Sequence, residues 1–163
     1  MVSPLTADDL LAEARRGLER LGPVEAAAAI SSGALLVDVR SELQREGDGV
    51  VPGSVFFPRN VLEWRCDPDS PARDERVCDR ARQLIVMCDE GYQSSLAAAN
   101  LRRLGFERAT DLAGGFQAWR AARLPVVPSS SPTSAVTRRS MSSRVARTSS
   151  RGRPFGSSSS QST

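Results

Sequence analysis

Apolar residues in this chain fall into short runs separated by polar turns and amphipathic stretches. Two runs, 34–39 and 84–88, are almost wholly apolar and predict strands buried on both faces, although Asp38 interrupts the first. Shorter strands are predicted at 54–57 and 109–112. Helices or helical turns are predicted at 6–21 (Thr6 as N-cap, Gly22-Pro23 as stop), 25–30, 41–46, 61–65, 74–82, 94–104 and 115–121.

This alternation of strands and helices is typical of an α/β domain. Consecutive parallel strands need crossover helices, and those helices cover both faces of the sheet. The pattern therefore predicts a small three-layer α/β/α domain with a central, mostly parallel sheet. Ligands of such sheets collect at the carboxyl ends of the strands.

Composition divides the 163 residues into three parts. We predict an N-terminal helix within 1–22, one domain over 23–128, and a disordered tail rich in serine and arginine over 129–163. Six of the 22 arginines lie in the tail, so residues 1–128 carry a net charge of −3. A mildly acidic body argues against nucleic-acid binding by the folded part. The tail suits either an RNA or acidic partner or a solvated extension without a dedicated role.

Several classes of site are disfavoured by the residues that the chain lacks. It contains no histidine, and Cys66, Cys78 and Cys88 form no Cys-x-x-Cys pair, so neither a metal site nor a disulfide framework is predicted. Nucleophiles activated by histidine are excluded for the same reason. No apolar run is long enough for a secretory signal or a membrane span, and we expect a cytoplasmic protein.

Cys88 is the candidate nucleophile. It ends the 84–88 strand and is followed by Asp-Glu-Gly-Tyr-Gln-Ser-Ser and then by the helix predicted at 94–104. The free N–H groups and partial positive charge of a helix N-terminus favour the thiolate, which is the nucleophilic form. The alternative is a buried structural cysteine, which is common at the end of a strand.

The loop from Cys88 to Ser94 resembles the active-site loop of a rhodanese (sulfurtransferase) domain. Further segments that match the family in order, together covering about residues 23–125, are Leu35-Leu36-Val37-Asp38-Val39-Arg40-Ser41, Val51-Pro52-Gly53-Ser54, Pro58-Arg59 and Gly114-Gly115-Phe116-Gln117-Ala118-Trp119. The resemblance implies that Cys88 takes sulfur from a donor such as thiosulfate, holds it as a persulfide and passes it to a thiol or cyanide. It implies no metal or organic cofactor.

The resemblance also assigns roles around Cys88. The substrate-binding loop would comprise Asp89, Glu90, Gly91, Tyr92, Gln93 and Ser94, with Gly91 supplying an unusual backbone geometry and Ser94 or Ser95 capping the helix. Asp38 and Arg40 would support the loop, or else pair with each other at a turn. Arg59 would face the site, or else lie on the surface. Trp64 and Trp119 are predicted in the core, and Cys66 and Cys78 have no motif around them.

The loop departs from the family in its charge. Many active members carry arginine directly after the cysteine and again five residues after it, whereas this chain has Asp89 and Gln93, with Glu90 adding a further negative charge. We therefore expect low activity with dianionic thiosulfate and a better donor in a protein or small-thiol persulfide. The alternative is a binding or regulatory module of low activity. A cysteine phosphatase is disfavoured because no loop arginine can hold phosphate.

Overall fold

The computed structural model describes residues 3–129, so all of the predicted tail except Ser129 lies outside the described residues. Within them, helices and strands alternate along the chain. The helices are α1 (Ala7–Arg15), α2 (Pro23–Ser31), α3 (Glu42–Asp48), α4 (Leu62–Cys66), α5 (Gln93–Arg103) and α6 (Gly115–Ala121), and a 3₁₀ turn, Arg59–Val61, precedes α4. The strands are β1 (Leu35–Asp38), β2 (Val55–Phe56), β3 (Leu84–Met87) and β4 (Thr110–Asp111).

The four strands form one parallel sheet in the order β2-β1-β3-β4. Successive side chains of a strand point to opposite faces, so each central strand supplies two cores. Val37 and Val86 lie in the core shared with α4 and α5, whereas Leu36 and Ile85 lie in the core shared with α2 and α6. The predicted three-layer α/β/α architecture is confirmed.

Helix α1 is shorter than predicted. It begins at a capping box in which Thr6 and Asp9 satisfy each other's backbone N–H groups. The helix predicted to run to residue 21 ends at Arg15, because the next residue is extended and Gly17 has φ +76. The following residues run beside β4, where the Leu21 N–H donates to the carbonyl of Asp111 at 3.1 Å.

The helix predicted at 74–82 is wrong. This segment consists of turns in which two aspartates accept from the backbone N–H two residues later, and the N–H bound by Asp79 is one that the predicted helix would need. Asp74 accepts from the N–H of Arg76 at 3.0 Å, and Asp79 accepts from the N–H of Ala81 at 2.9 Å.

The two tryptophans have different environments. Trp119 is 3% exposed and donates its indole N–H to the carbonyl of Pro125 at 2.9 Å, as expected for a core residue. The core prediction for Trp64 is wrong, since this side chain is 60% exposed. Helix α4 buries Leu62 and Cys66, which are four residues apart, and Trp64 between them lies on the other face.

No helix between residues 3 and 129 is long and apolar enough to cross a bilayer.

Candidate functional site

Cys88 directly follows β3, at the carboxyl edge of the sheet. The residue is 2% exposed, and its sulfur has two polar neighbours. The N–H of Gly91 donates to Sγ at 3.2 Å, and the thiol donates to Oγ of Ser94 at 3.3 Å. The loop therefore places one backbone N–H and one hydroxyl within hydrogen-bond distance of the sulfur.

Gly91 shapes the loop. Its φ of +86 is a left-handed conformation, and a Cβ at this position would lie 2.8 Å from the backbone nitrogen of Gly114. Neither the conformation nor the space suits any other residue, and this geometry turns the Gly91 N–H toward the sulfur.

The loop is tied to the N-terminus of α6. The N–H of Phe116 donates to the carbonyl of Cys88 at 2.9 Å, and the N–H of Gln117 donates to that of Asp89 at 3.0 Å. Gly115 makes this approach possible, because a Cβ there would lie 2.5 Å from the carbonyl oxygen of Asp89. The Gly-Gly pair and Cys88 thus form one packed unit.

Asp111 is linked to the Cys88 sulfur through Ser94, and the sequence pattern did not identify it as a site residue. It is fully buried at the end of β4, and its carboxylate accepts from Ser94 at 2.9 Å and from Ser95 at 2.8 Å. Arg20 donates to the same carboxylate at 2.9 and 3.1 Å. One signal was available: Asp111 lies inside a predicted strand of a covered sheet, where a carboxylate requires partners because an unpaired buried carboxylate is very costly.

Two arginines from the N-terminal segment also reach the loop. The carbonyl of Gly91 accepts from Nη2 of Arg15 at 2.8 Å and from Nη2 of Arg20 at 2.9 Å. Both arginines lie outside any motif, so nothing in their local sequence pointed to the site.

Neither serine caps α5, contrary to the prediction. The N-cap is Tyr92, which makes no side-chain capping bond, and the helix begins at Gln93. Ser94 and Ser95 are therefore already inside the helix, where their hydroxyls donate to Asp111.

The remaining loop residues lie toward solvent. Glu90, Tyr92 and Gln93 are exposed, and Tyr92 has its ring 6.0 Å from the guanidinium of Arg15. The carboxylate of Asp89 accepts from the side-chain amide of Gln117 at 3.0 Å.

Asp38 and Arg40 pair with each other, at 2.9 Å, and both side chains are fully buried. Arg45 lies 3.3 Å from the same carboxylate, and Arg40 also donates to the carbonyl of Gly49 at 2.8 Å. Among the described residues, no side-chain hydrogen bond joins this pair to the loop 88–94. This is the arrangement that the sequence left open as the alternative.

Arg59 pairs with Glu63 at 2.9 Å, one helical turn away. It also lines a cavity of about 570 Å³ that reaches the exposed Gln93 of the loop. The residues lining this cavity also include Arg40, Glu42, Leu43, Phe56 and Pro58. The cavity therefore combines apolar walls with the partly exposed Arg59 beside the loop 88–94, whereas Arg40 remains buried against Asp38.

The other cysteines lie apart from this loop. Cys66 is fully buried, and burial raises the pKa of its thiol to about 12, with the nearby Glu63 carboxylate adding to the rise. Cys78 lies 3.6 Å from the carboxylate of Glu75. In the described part of the chain, no cluster of histidine, cysteine and acidic residues could hold a metal ion.

Comparison with known proteins gives consistent matches. The family model described as "Rhodanese-like domain" matches residues 22–122. The thiosulfate sulfurtransferase GlpE of Stutzerimonas stutzeri is 34% identical over 102 residues, which are 63% of this chain and 84% of the relative.

Solved structures agree with these sequence matches. A protein of unknown function from Rhodopseudomonas palustris, described as a possible tyrosine phosphatase, has a TM-score of 0.70 and 32% identity, covering 78% of this chain and 99% of the other. The human single-domain sulfurtransferase TSTD1 has a TM-score of 0.54 and 24% identity, covering 63% and 95% respectively, and this likeness concerns the fold alone.

Proposed function

The chain belongs to the rhodanese-like domain family, and from that premise we propose that it transfers sulfane sulfur through a persulfide on Cys88. The family resemblance seen in the sequence is confirmed, and the relatives at about 34% identity are sulfurtransferases. The observation that carries the proposal is the position of the Cys88 sulfur, 3.2 Å from the Gly91 N–H and 3.3 Å from the Ser94 hydroxyl.

The proposed reaction has two steps. The Cys88 thiolate attacks the outer sulfur of a donor R–S–SH, the donor's S–S bond breaks, and its electron pair leaves on RS⁻ while Cys88–S–SH forms. An acceptor thiolate then attacks the terminal sulfur, and the Cys88 thiolate is released as the leaving group. No net oxidation occurs and no cofactor is needed, because sulfane sulfur is exchanged between thiols.

Ser94 supplies a hydrogen bond that can follow the charge on sulfur. With Cys88 as a thiol, Ser94 accepts from it and donates to Asp111. With Cys88 as a thiolate, the hydroxyl hydrogen can turn toward sulfur, because Ser95 and Arg20 continue to donate to the same carboxylate. The buried acid thus stays solvated by protein donors in either state.

The charges of the loop favour a donor of low charge. Asp89 and Glu90 directly follow Cys88, and the loop has no cation of its own. The cavity beside Gln93 has apolar walls and is lined by Arg59, which suits an organic thiol persulfide bearing a carboxylate better than a small dianion. Asp38 and Arg40 support the cavity wall in this proposal, and Arg59 meets the substrate.

A binding module of low activity is the second candidate, favoured by the low exposure of Cys88, 2%, together with the exposure of Tyr92 and Gln93. Such a module would bind its partner through the exposed residues of the loop, and the Cys88 sulfur would stay buried. A phosphatase is disfavoured because the loop itself offers no guanidinium to a phosphate dianion.

Intact-mass analysis after exposure to thiosulfate or to a small-thiol persulfide tests the proposal. We expect the wild type to gain one sulfur, about 32 Da, that cyanide removes, and Cys88→Ser to gain none. Cys78→Ser is the matched control and should gain sulfur normally. A folded wild type that gains no sulfur from either donor supports the binding module instead.

A further inference from the structure

Arg15 and Arg20 come from the N-terminal segment, before the residues that match the family, yet both bind the active loop. Their guanidiniums meet at one atom, the carbonyl oxygen of Gly91, at 2.8 and 2.9 Å. Gly91 is also the residue whose N–H donates to the sulfur of Cys88. The segment before residue 22 is therefore part of the site's immediate surroundings.

The chain after α1 is fixed so that both arginines reach the loop. Gly17 turns the chain, and its carbonyl accepts from Arg102 of α5 at 2.9 Å. The carbonyl of Glu19 accepts from the hydroxyl of Thr110 at 2.7 Å. Leu21 forms a parallel bridge with Leu112. These contacts fix the chain at the turn and after it, between Arg15 and β4.

The two arginines are bound differently. Arg20 makes two contacts with Asp111 and is 22% exposed, so part of its role is to neutralise a buried carboxylate. The hydrogen bonds of Arg15 go to neutral groups: it donates to the carbonyl of Gly91 and, at 3.1 Å, to Oγ of Ser95. Arg15 is therefore a cation directed at the loop.

A doubly bound carbonyl fixes the orientation of residue 91. Gly91 has many accessible conformations in an unconstrained chain, and most would turn its N–H away from Cys88. Two charge-assisted hydrogen bonds to its carbonyl restrict that freedom. The permanent charges of both guanidiniums also oppose those of Asp89 and Glu90, in a loop that contains no basic residue.

We propose that Arg15 and Arg20 are positioning residues for the chemistry of Cys88, holding Gly91 so that its N–H binds the anionic sulfur. The proposal rests on the proposed function only in that Cys88 must react as a nucleophile. It assigns to the N-terminal segment the cationic role that the loop sequence lacks.

The test is the rate at which iodoacetamide alkylates Cys88 at pH 7.5, measured by peptide mapping, in Arg15→Gln, Arg15→Lys, Arg20→Lys and wild type. Arg16→Gln is the matched control, because Arg16 is exposed and directly follows Arg15. We expect Arg15→Gln to slow alkylation about tenfold, as for the loss of one charged hydrogen bond, and Arg15→Lys to recover part of the rate. Arg16→Gln should stay within about twofold, since exposed charges have small effects.

Alkylation requires no sulfur donor, so the result is independent of sulfur transfer. If Arg15→Gln slows alkylation but the wild type transfers no sulfur, the positioning role is supported and the proposed function is contradicted. Equal rates for Arg15→Gln and Arg16→Gln would overturn the positioning role, and so would a wild-type Cys88 that does not react. Urea unfolding of each variant identifies a rate change that is caused by unfolding. If Arg15→Gln is unstable, Arg20→Lys is the second variant, because it retains the charge opposite Asp111.

Discussion

Ser94 and Asp111 are joined by a buried hydrogen bond of 2.9 Å, and the oxygen of Ser94 also accepts from the Cys88 thiol at 3.3 Å. The serine therefore links a sulfur on one strand end to a carboxylate on the next. Ser95 donates to the same carboxylate at 2.8 Å but has no hydrogen bond to the sulfur. Substituting each serine in turn therefore distinguishes the loss of a hydrogen bond to Asp111 alone from the loss of hydrogen bonds to both Asp111 and Cys88.

Ser94→Ala should slow sulfur transfer by about tenfold or more, because the anionic sulfur loses a hydroxyl donor and hydrogen bonds to charged groups contribute about 1.5–3 kcal/mol. Single-turnover transfer from a small-thiol persulfide measures the effect. Ser95→Ala is the matched variant and should lower the rate less. If both variants slow transfer equally, Ser94 acts through Asp111 and has no separate role at the sulfur.

Gly115→Ala should destabilise the fold more than Gly53→Ala. Both glycines have positive φ, +62 and +77, so each alanine is strained by about 1–2 kcal/mol. At Gly53 an added Cβ meets nothing within 4 Å, whereas at Gly115 it would lie 2.6 Å from the carbonyl oxygen of Cys88. We expect at least about 2 kcal/mol more loss at Gly115, as for overpacked sites. Urea denaturation of both variants gives the comparison, and equal losses would contradict the close packing against Cys88.

Cys66 should resist alkylation in the folded protein at pH 9. Burial raises the pKa of this thiol to about 12, so the reactive thiolate is scarce until far above neutral pH. Peptide mapping after iodoacetamide treatment should find Cys66 modified in urea and unmodified without it. Rapid labelling of native Cys66 would show that α4 opens readily.

The same pKa predicts a dependence of stability on alkaline pH. The folded-state pKa lies above the unfolded value of 9.0, so the stabilisation is complete below pH 9 and is lost as the pH rises toward 12. Cys66→Ala should unfold at lower urea at pH 8 but should lose less stability than the wild type between pH 8 and 11. Parallel slopes for wild type and variant would contradict this prediction.

Trp119→Phe should cost about 1–3 kcal/mol, because a buried side chain is reduced in size and the hydrogen bond to Pro125 is lost. Trp64→Phe should stay within about 0.5 kcal/mol, as at most surface sites. In Trp64→Phe the remaining indole should emit at shorter wavelength and resist quenching by acrylamide. A large loss of stability in that variant would place Trp64 in a contact that its exposure does not suggest.

The fold could be predicted well where the sequence signal is local. The central strands follow from two apolar runs, of which only the first is interrupted, by Asp38, and α6 begins and ends where predicted, at Gly115 and Ala121. The prediction at 74–82 was wrong because Asp74 and Asp79 form hydrogen-bonded turns there. The first helix was predicted too long because the chain is extended after Arg15 and left-handed at Gly17. Propensity alone could not weigh these hydrogen bonds against a helix.

The sequence by itself determined that Cys88 follows a buried strand and precedes a loop and helix, because strand period and helix start are local patterns. The tertiary structure alone decided which groups surround that loop. Arg15 reaches Gly91 across 76 positions, and Arg20 reaches Asp111 across 91. An ion pair or hydrogen bond between distant segments leaves no periodic trace in either one, so Asp111 and the two arginines that support the loop emerge only when the parallel sheet places the ends of β3 and β4 side by side.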